Sequence, residues 1–451
     1  MADKLLIKNG QVALPGEEAL KPVDIAIADG KIVAIGQNLD TTGELLAAGG
    51  MWVFPGGIDA HVHFDDPGYT DREDFTAGSS AAASGGITTV IDMPCTSVPP
   101  VTTVANMRAK LAAIEGKSIV DFGLYGGVCA QSFAGDWEKD MAELADYVLG
   151  FKAYLTSGML TFQRLDHYQL QQVLRTATQL GLPVLLHAED FDYVDTATRV
   201  ARQKGNNPRE YYESRPEIVE TLAVSSALEL AESVGGDLHI VHLATGEAAA
   251  LLRGRRATGE TAAHYLEFTA EDFERMGAAL KVAPAVKPAG NRELLWELLA
   301  CGIIDFVASD HAPSPEAEKN TGSIWTDYGG IPGVGTTFPY LISEGYMKGR
   351  LSLRRLIEVT SVAPAQRYGL FARKGSISIG KDADLVLFDP ESEWVVEGRK
   401  FLSHGKITPF EGMRFSGKIV ATLLRGRKIY DSATGIQVAS GYGKWLARFH
   451  T

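Results

Sequence analysis

Six widely separated residues of this chain are of types that can hold metal ions. They are His61 and His63 in Asp59-Ala60-His61-Val62-His63, Lys152 in Gly150-Phe151-Lys152, His187 in Leu185-Leu186-His187, His242 in His239-Ile240-Val241-His242, and Asp310 in Ala308-Ser309-Asp310. Each stands at or near the C-terminal end of a short apolar, β-forming run. Residues two apart on a strand project to the same side, so His61 and His63 can both reach one ion as neutral imidazoles, about 2.0–2.1 Å from a zinc. A single His-x-His, or a single strand-end histidine, is as readily a packed polar residue; the recurrence of the pattern is what points to a metal site. Asp310 can ligate a metal and accept a proton from an attacking water. The residues after it, His311-Ala312-Pro313, do not continue as a helix for it to cap. Taken alone, Lys152 reads as a salt-bridged lysine at a barrel mouth. Beside metal ions and inside a barrel, its pKa would fall and a neutral amine would become accessible. A neutral amine can add carbon dioxide to give a carbamate, an anion with two oxygens able to bridge two metals. This donor set suits a hydrolase.

Positioning these residues requires parallel strands. Candidate strands centre on 58–63, 88–93, 120–124, 150–155, 183–187, 238–243, 261–266 and 304–309. Helical stretches with 3.6-residue periodicity, such as 165–180, 218–233 and 292–300, fall between most of them. Eight strand–helix units predict a closed (β/α)8 TIM barrel of the α/β class, spanning 56–370, whose C-terminal face gathers the catalytic groups. The first 55 residues, with turn signals at Asn9-Gly10 and Asp29-Gly30, look like short strands, and 371–451 repeat that texture. Neither end is long enough for a core of its own, so the two are expected to form one small β-sandwich domain, with a tail after it. Residues 313–335 have weak periodicity, contain Gly329-Gly330-Ile331-Pro332-Gly333, and read as a long loop at the barrel mouth.

Composition sets outer limits. The chain is 45% hydrophobic and 22% charged, as expected of a folded protein with a large core. Its net charge of −13, without a long acidic run, argues against nucleic acid or an anionic membrane as partner. Cys95, Cys129 and Cys301 form no CxxC pair and no disulfide framework. No apolar leader or spanning segment is visible, so a cytoplasmic location is expected.

The segments His61-Val62-His63, Gly150-Phe151-Lys152, His187-Ala188-Glu189, His242 and Ser309-Asp310-His311 resemble the cyclic amidohydrolases of the amidohydrolase superfamily. That group contains dihydroorotases, allantoinases, hydantoinases and dihydropyrimidinases. The resemblance extends to Gly380-Lys381-Asp382-Ala383-Asp384 and Thr408-Pro409-Phe410-Glu411-Gly412. It implies two divalent metal ions, expected to be zinc: His61, His63 and Asp310 on one, His187 and His242 on the other, and carboxylated Lys152 on both. It also implies a homo-oligomer, dimer or tetramer. Two metals about 3.5–4 Å apart would direct water at a ring carbonyl. Asp310 would take the proton and return it to the leaving nitrogen. A relative kept only as a scaffold would have lost ligands, and none is lost here.

The small-molecule substrate is expected to be a cyclic ureide or imide. Dihydroorotases typically carry His-x-His-x-Arg, the arginine holding the substrate carboxylate; here that position is Asp65, which would repel one. Dihydroorotases also place asparagine where this chain has Cys95. Hydantoinases usually have a tyrosine five residues after the lysine, here Ser157, while Tyr154 is expected to face the other way. The small hydroxyl residues here, Tyr211-Tyr212-Glu213-Ser214-Arg215-Pro216 and Ala263-His264-Tyr265 are closer to allantoinases. Departures from that pattern are Cys95-Thr96 in place of Leu-Asn, and Ala283-Pro284-Ala285-Val286-Lys287 in place of Ser-Pro-Pro-x-Arg. Asp65, Cys95, Ser157, His264, Ala283 and His311 are the resulting candidates for substrate contact. His264 and His311 are also candidates for supporting the ligands instead, and His239 for packing.

Overall fold

Alternation along single strands explains how the terminal segments attach to the rest. In the computed structural model, which describes residues 4–448, strand Leu385–Val395 is buried on both faces along its first half. Leu385 and Leu387 enter a small apolar core with Ile7, Ile25, Val53 and Leu423. Val386 and Phe388 point the other way, into the main core, as does Phe54. Burial on both faces is why Leu385-Val386-Leu387-Phe388 reads as an unbroken apolar run. Burying one such aromatic side chain contributes about 2–3 kcal/mol.

Strand Trp52–Pro55 is the seam between the two ends of the chain. It pairs antiparallel with Leu385–Val395 and parallel with Lys4–Val12. The terminal strands thus form one mixed sheet of nine strands, a separate β domain beside the barrel. Two of its hairpins turn at Asp29-Gly30 and Arg425-Gly426, where both residues of each pair have positive φ (51° and 77°, 49° and 73°), as a two-residue type I′ turn requires.

The barrel strands are β1 (Gly57–Val62), β2 (Ile87–Asp92), β3 (Asp121–Leu124), β4 (Phe151–Tyr154), β5 (Val184–His187), β6 (Leu238–Ile240), β7 (Ala257–Thr261) and β8 (Phe306–Val307). All neighbouring pairs are parallel. β3 reaches β4 through Gly126–Gly127, after a break at Tyr125, whose hydroxyl donates to Ala60 O at 2.9 Å. The ring closes where His63 N donates to His311 O at 2.8 Å and where Ser309 N donates to buried Asp59 Oδ1 at 3.0 Å. The predicted helices are present as His167–Leu180, Glu217–Val234 and Ala289–Ala300. The first is bounded by an Asp166/Gln169 capping box and by Gly181 at φ 65°.

One strand differs from expectation. The seventh lies at Ala257–Thr261, and Ala263–Glu267 is a short helix. Thr258-Gly259-Glu260-Thr261 looks like a turn because two of its inward residues are polar, and those residues find polar partners inside the barrel. Among the described residues, no helix is long and apolar enough to cross a membrane.

Candidate metal centre and substrate cleft

The strands deliver their end residues to one point. His61 Nε2 and His63 Nε2 lie 3.3 and 3.4 Å from Asp310 Oδ1. Ligands about 2.0–2.1 Å from a tetrahedral ion stand about 3.3–3.4 Å apart, so these three atoms have the spacing of a metal site. His187 Nδ1 and His242 Nε2 face each other at 3.0 Å, and the His61 and His242 ring centroids are 5.3 Å apart. His242 (φ 41°) and Asp310 (φ 49°) are in the left-handed region, which costs a non-glycine residue about 1 kcal/mol or more. Both are ligand candidates at the ends of their strands, where that turn aims the side chain inward.

Lys152 is fully buried, and its Nζ has no hydrogen-bond partner among the described residues. Burial pulls its ammonium down to about 8, so a neutral amine is accessible near neutrality. The buried His61 Nε2 and His242 Nδ1 are also without hydrogen-bond partners. Burial opposes ionisation of Asp310, but the hydrogen bond with His63 and the neighbouring imidazoles hold its carboxyl down to about 2. The donors therefore fit divalent ions: imidazole nitrogens, a carboxylate and a deprotonable amine.

Supporting residues surround the ligands, and several went unrecognised in the sequence. His61 Nδ1 is 2.5 Å from Glu260 Oε1. His187 Nε2 is 2.9 Å from Glu189 Oε2, which also accepts from Arg215 Nη1 at 2.6 Å. Arg215 lies in the Tyr211-to-Pro216 segment whose likeness to relatives was noted, but nothing in that likeness assigned it a task. Tyr154 corrects the expected orientation. It stands two residues from Lys152 on β4 and faces the same side, stacking on His187 at 5.1 Å with its hydroxyl 3.1 Å from Cys95 Sγ.

A cleft of about 440 Å³ opens above the ligands, with His63, His187, His242 and Asp310 at its floor. Cys95, Ser157 and Ala283 line it, as do Tyr154, Arg72 and Arg215. The Ser157 hydroxyl is already engaged, donating to Phe162 O at 2.7 Å. The other three candidates for substrate contact are not in the cleft lining. Asp65 is completely buried, and burial raises its carboxyl to about 7, so its negative charge is only partial near neutrality. His264 sits on the short helix after β7 with Nε2 buried and, among the described residues, without a hydrogen-bond partner. His311 is a structural tie: its Nε2 contacts Glu73 at 3.0 Å, and its Nδ1 accepts from Gly333 N at 3.1 Å.

The mouth loop contributes Tyr328, Gly329 and Gly330 to the cleft. A Cβ at Gly330 would meet Ala312 O at 2.4 Å, so only glycine fits there. Buried Lys319 holds this segment by donating to Gly330 O at 2.5 Å and Ala278 O at 2.9 Å. Replacing Lys319 with methionine is expected to loosen the loop and raise KM with kcat little changed, as steady-state kinetics will show. An equal fall in kcat at unchanged KM would contradict that role.

Residues 52–429 match the amidohydrolase family. Over 434 residues the chain is 40% identical to an allantoinase of Solibacter usitatus, covering 94% of this chain and 93% of the relative. It is also 40% identical over 446 residues to an allantoinase of Rubrobacter xylanophilus, covering 97% and 96%. Among solved structures, an L-hydantoinase (dihydropyrimidinase) from Arthrobacter aurescens superposes with a TM-score of 0.94 at 31% identity, covering 99% of this chain and 100% of that one.

Proposed function

The chain belongs to the amidohydrolase family, and we propose that it opens cyclic ureides by hydrolysis, with allantoin cleaved to allantoate as its reaction. The observation that carries this reading is the convergence of His63, His187, His242 and Asp310 at the floor of one cleft, with His61 beside Asp310 and a buried Lys152 whose Nζ has no hydrogen-bond partner among the described residues. His61, His63 and Asp310 would hold one divalent ion, His187 and His242 a second, and Lys152, as a carbamate, both; zinc is the ion we propose. When bound, such a pair polarises a carbonyl and lowers the pKa of water. Asp310, kept ionised, takes the proton of the attacking water on a carboxylate oxygen and returns it to the ring nitrogen as the C–N bond breaks. The Tyr154 hydroxyl, whose partner in the cleft wall is a weakly accepting thiol, and the Arg72 guanidinium offer donors to the carbonyl oxygens of a ureide.

The choice of allantoin rests on the relatives and not on Asp65. With Asp65 buried and Arg72 in the cleft, charge alone does not exclude an anionic ring such as dihydroorotate. The hydantoinase-like architecture supports hydantoins and dihydropyrimidines as the second reading. We further propose a cytoplasmic homo-oligomer, a dimer or tetramer, which light scattering will size. Three cysteines without a disulfide suit a reducing compartment.

The experiment is a ring-opening assay of zinc-loaded protein, prepared with bicarbonate, on allantoin, dihydroorotate, hydantoins and dihydrouracil. Allantoin is expected to give the highest kcat/KM. Preference for a hydantoin or dihydrouracil would establish the second reading, and turnover of dihydroorotate alone would overturn both.

A further inference from the structure

A line of hydrogen-bonded side chains runs from His61 through the barrel interior toward the opposite face. His61 Nδ1 meets Glu260 Oε1 at 2.5 Å, Glu260 Oε2 meets His239 Nε2 at 3.3 Å, and His239 Nδ1 meets Thr258 Oγ1 at 2.7 Å. His61, Glu260 and His239 are each buried to within about a hundredth of their surface. Thr258 lines a separate cleft with Asp305, Arg355 and Arg367, away from the substrate cleft. His239 is therefore more than the packing residue its place in the sequence suggests, although it does stack on Phe306 at 5.1 Å and 10°.

Burial pushes the Glu260 carboxyl well above the usual carboxylate range, so the proton positions below are those of the ionised Glu260 that cations bound at the centre would favour. A hydroxyl can donate, a carboxylate can only accept, and a neutral imidazole does one at each nitrogen. A Glu260 carboxylate can only accept, so His239 Nε2–H donates to it, and His239 Nδ1, left with its lone pair, accepts from the Thr258 hydroxyl. The other Glu260 oxygen accepts from His61 Nδ1–H. This order leaves the lone pair of His61 on Nε2, the atom facing Asp310 and His63. Donation of the second ring N–H to a carboxylate is how proteins fix the tautomer and aim of a ligating histidine.

We infer that Glu260 and His239, anchored by Thr258, are positioning residues that preset His61 in its metal-binding tautomer and orientation. The inference rests on the metal reading above, deepens it, and assigns a use to β7 that its ligand-free sequence does not suggest.

The test measures zinc affinity, by competition with a chromogenic chelator, for wild type, Glu260→Gln, His239→Phe and Thr258→Val. Phenylalanine keeps the stack on Phe306, and valine keeps the shape of threonine, so these two variants guard against misfolding at Glu260. Glu260→Gln is expected to weaken zinc binding at the site of His61, His63 and Asp310 about 10–100-fold, the usual cost of removing such a partner. His239→Phe should give a smaller loss and Thr258→Val the smallest, with melting of the metal-free proteins little changed for the last. Unchanged zinc affinity in all three variants, with only lower melting temperatures, would make the line a packing feature and overturn the inference. Wild type that binds no zinc would instead overturn the metal reading beneath it.

Discussion

Replacing Lys152 with alanine is expected to cost the centre at least one metal ion and most of its turnover while leaving the fold intact. The amine forms no hydrogen bond among the described residues, so its removal forfeits only its contact over the Tyr154 ring, 4.7 Å from the centroid, and relieves the cost of burying a polar group. Melting of the metal-free protein should therefore be unchanged or slightly raised. Metal content should fall from near two ions per chain to one or fewer, because the proposed carbamate is the one group that touches both. Activity should fall on the order of 10³-fold or more, which corresponds to about 4 kcal/mol of transition-state stabilisation. Propionate added with zinc should restore part of the activity by placing a carboxylate where the carbamate stood. A carbamate carbon resonance after growth or reconstitution with ¹³C-bicarbonate is expected in wild type and absent from the variant. Two ions per chain and near-normal activity in the variant would end the bridging proposal.

Asp310→Asn is the complementary change, sparing shape and removing the proton acceptor. Burial opposes ionisation of Asp310, but the imidazoles around it hold its carboxyl down to about 2, so the carboxylate form is present across the working pH range. Losing positioned acid–base catalysis typically costs about 10²–10⁴-fold, and the loss should appear in kcat with KM nearly constant. Metal content distinguishes the two roles of this residue. Two retained ions with a large fall in kcat assign it to proton transfer, whereas loss of one ion assigns it chiefly to ligation. Activity within ten-fold of wild type would move the proton acceptor elsewhere.

The residues that the sequence revealed and those it hid differ in their surroundings. His61, His63, His187 and His242 interrupt apolar β-runs, where an imidazole is chemically conspicuous, and the structure brings them together with Asp310. Glu260 was hidden because its strand, Thr258-Gly259-Glu260-Thr261, lacks the apolar pattern by which buried strands are read. Its burial is balanced by histidines from β1 and β6, which no local pattern reports. For the same reason His264, which looks like a strand-end residue, lies in the short helix after β7. The direction of Tyr154 follows from Lys152 and not from Ser157, which lies beyond the end of β4: period two from Lys152 sends Tyr154 to the cleft. The closed barrel and the joining of the two termini were legible from repeated strand–helix units and from the matching strand-and-turn texture at both ends.

The seam between Trp52–Pro55 and Leu385–Val395 also governs the order of events during synthesis. The first strands leave the ribosome more than 300 residues before the partner that closes their sheet. At the roughly 5–20 residues per second of translation, that interval lasts tens of seconds. Over this time the edge of Trp52–Pro55 and the apolar face of Val53 lack their final cover, while much of the barrel emerges and can begin to form. Joining of the two ends of the chain in one sheet is thus a late step in which Leu385–Val395 clasps one of the oldest strands, and until then the nascent chain carries an open β-edge suited to chaperone capture or mispairing.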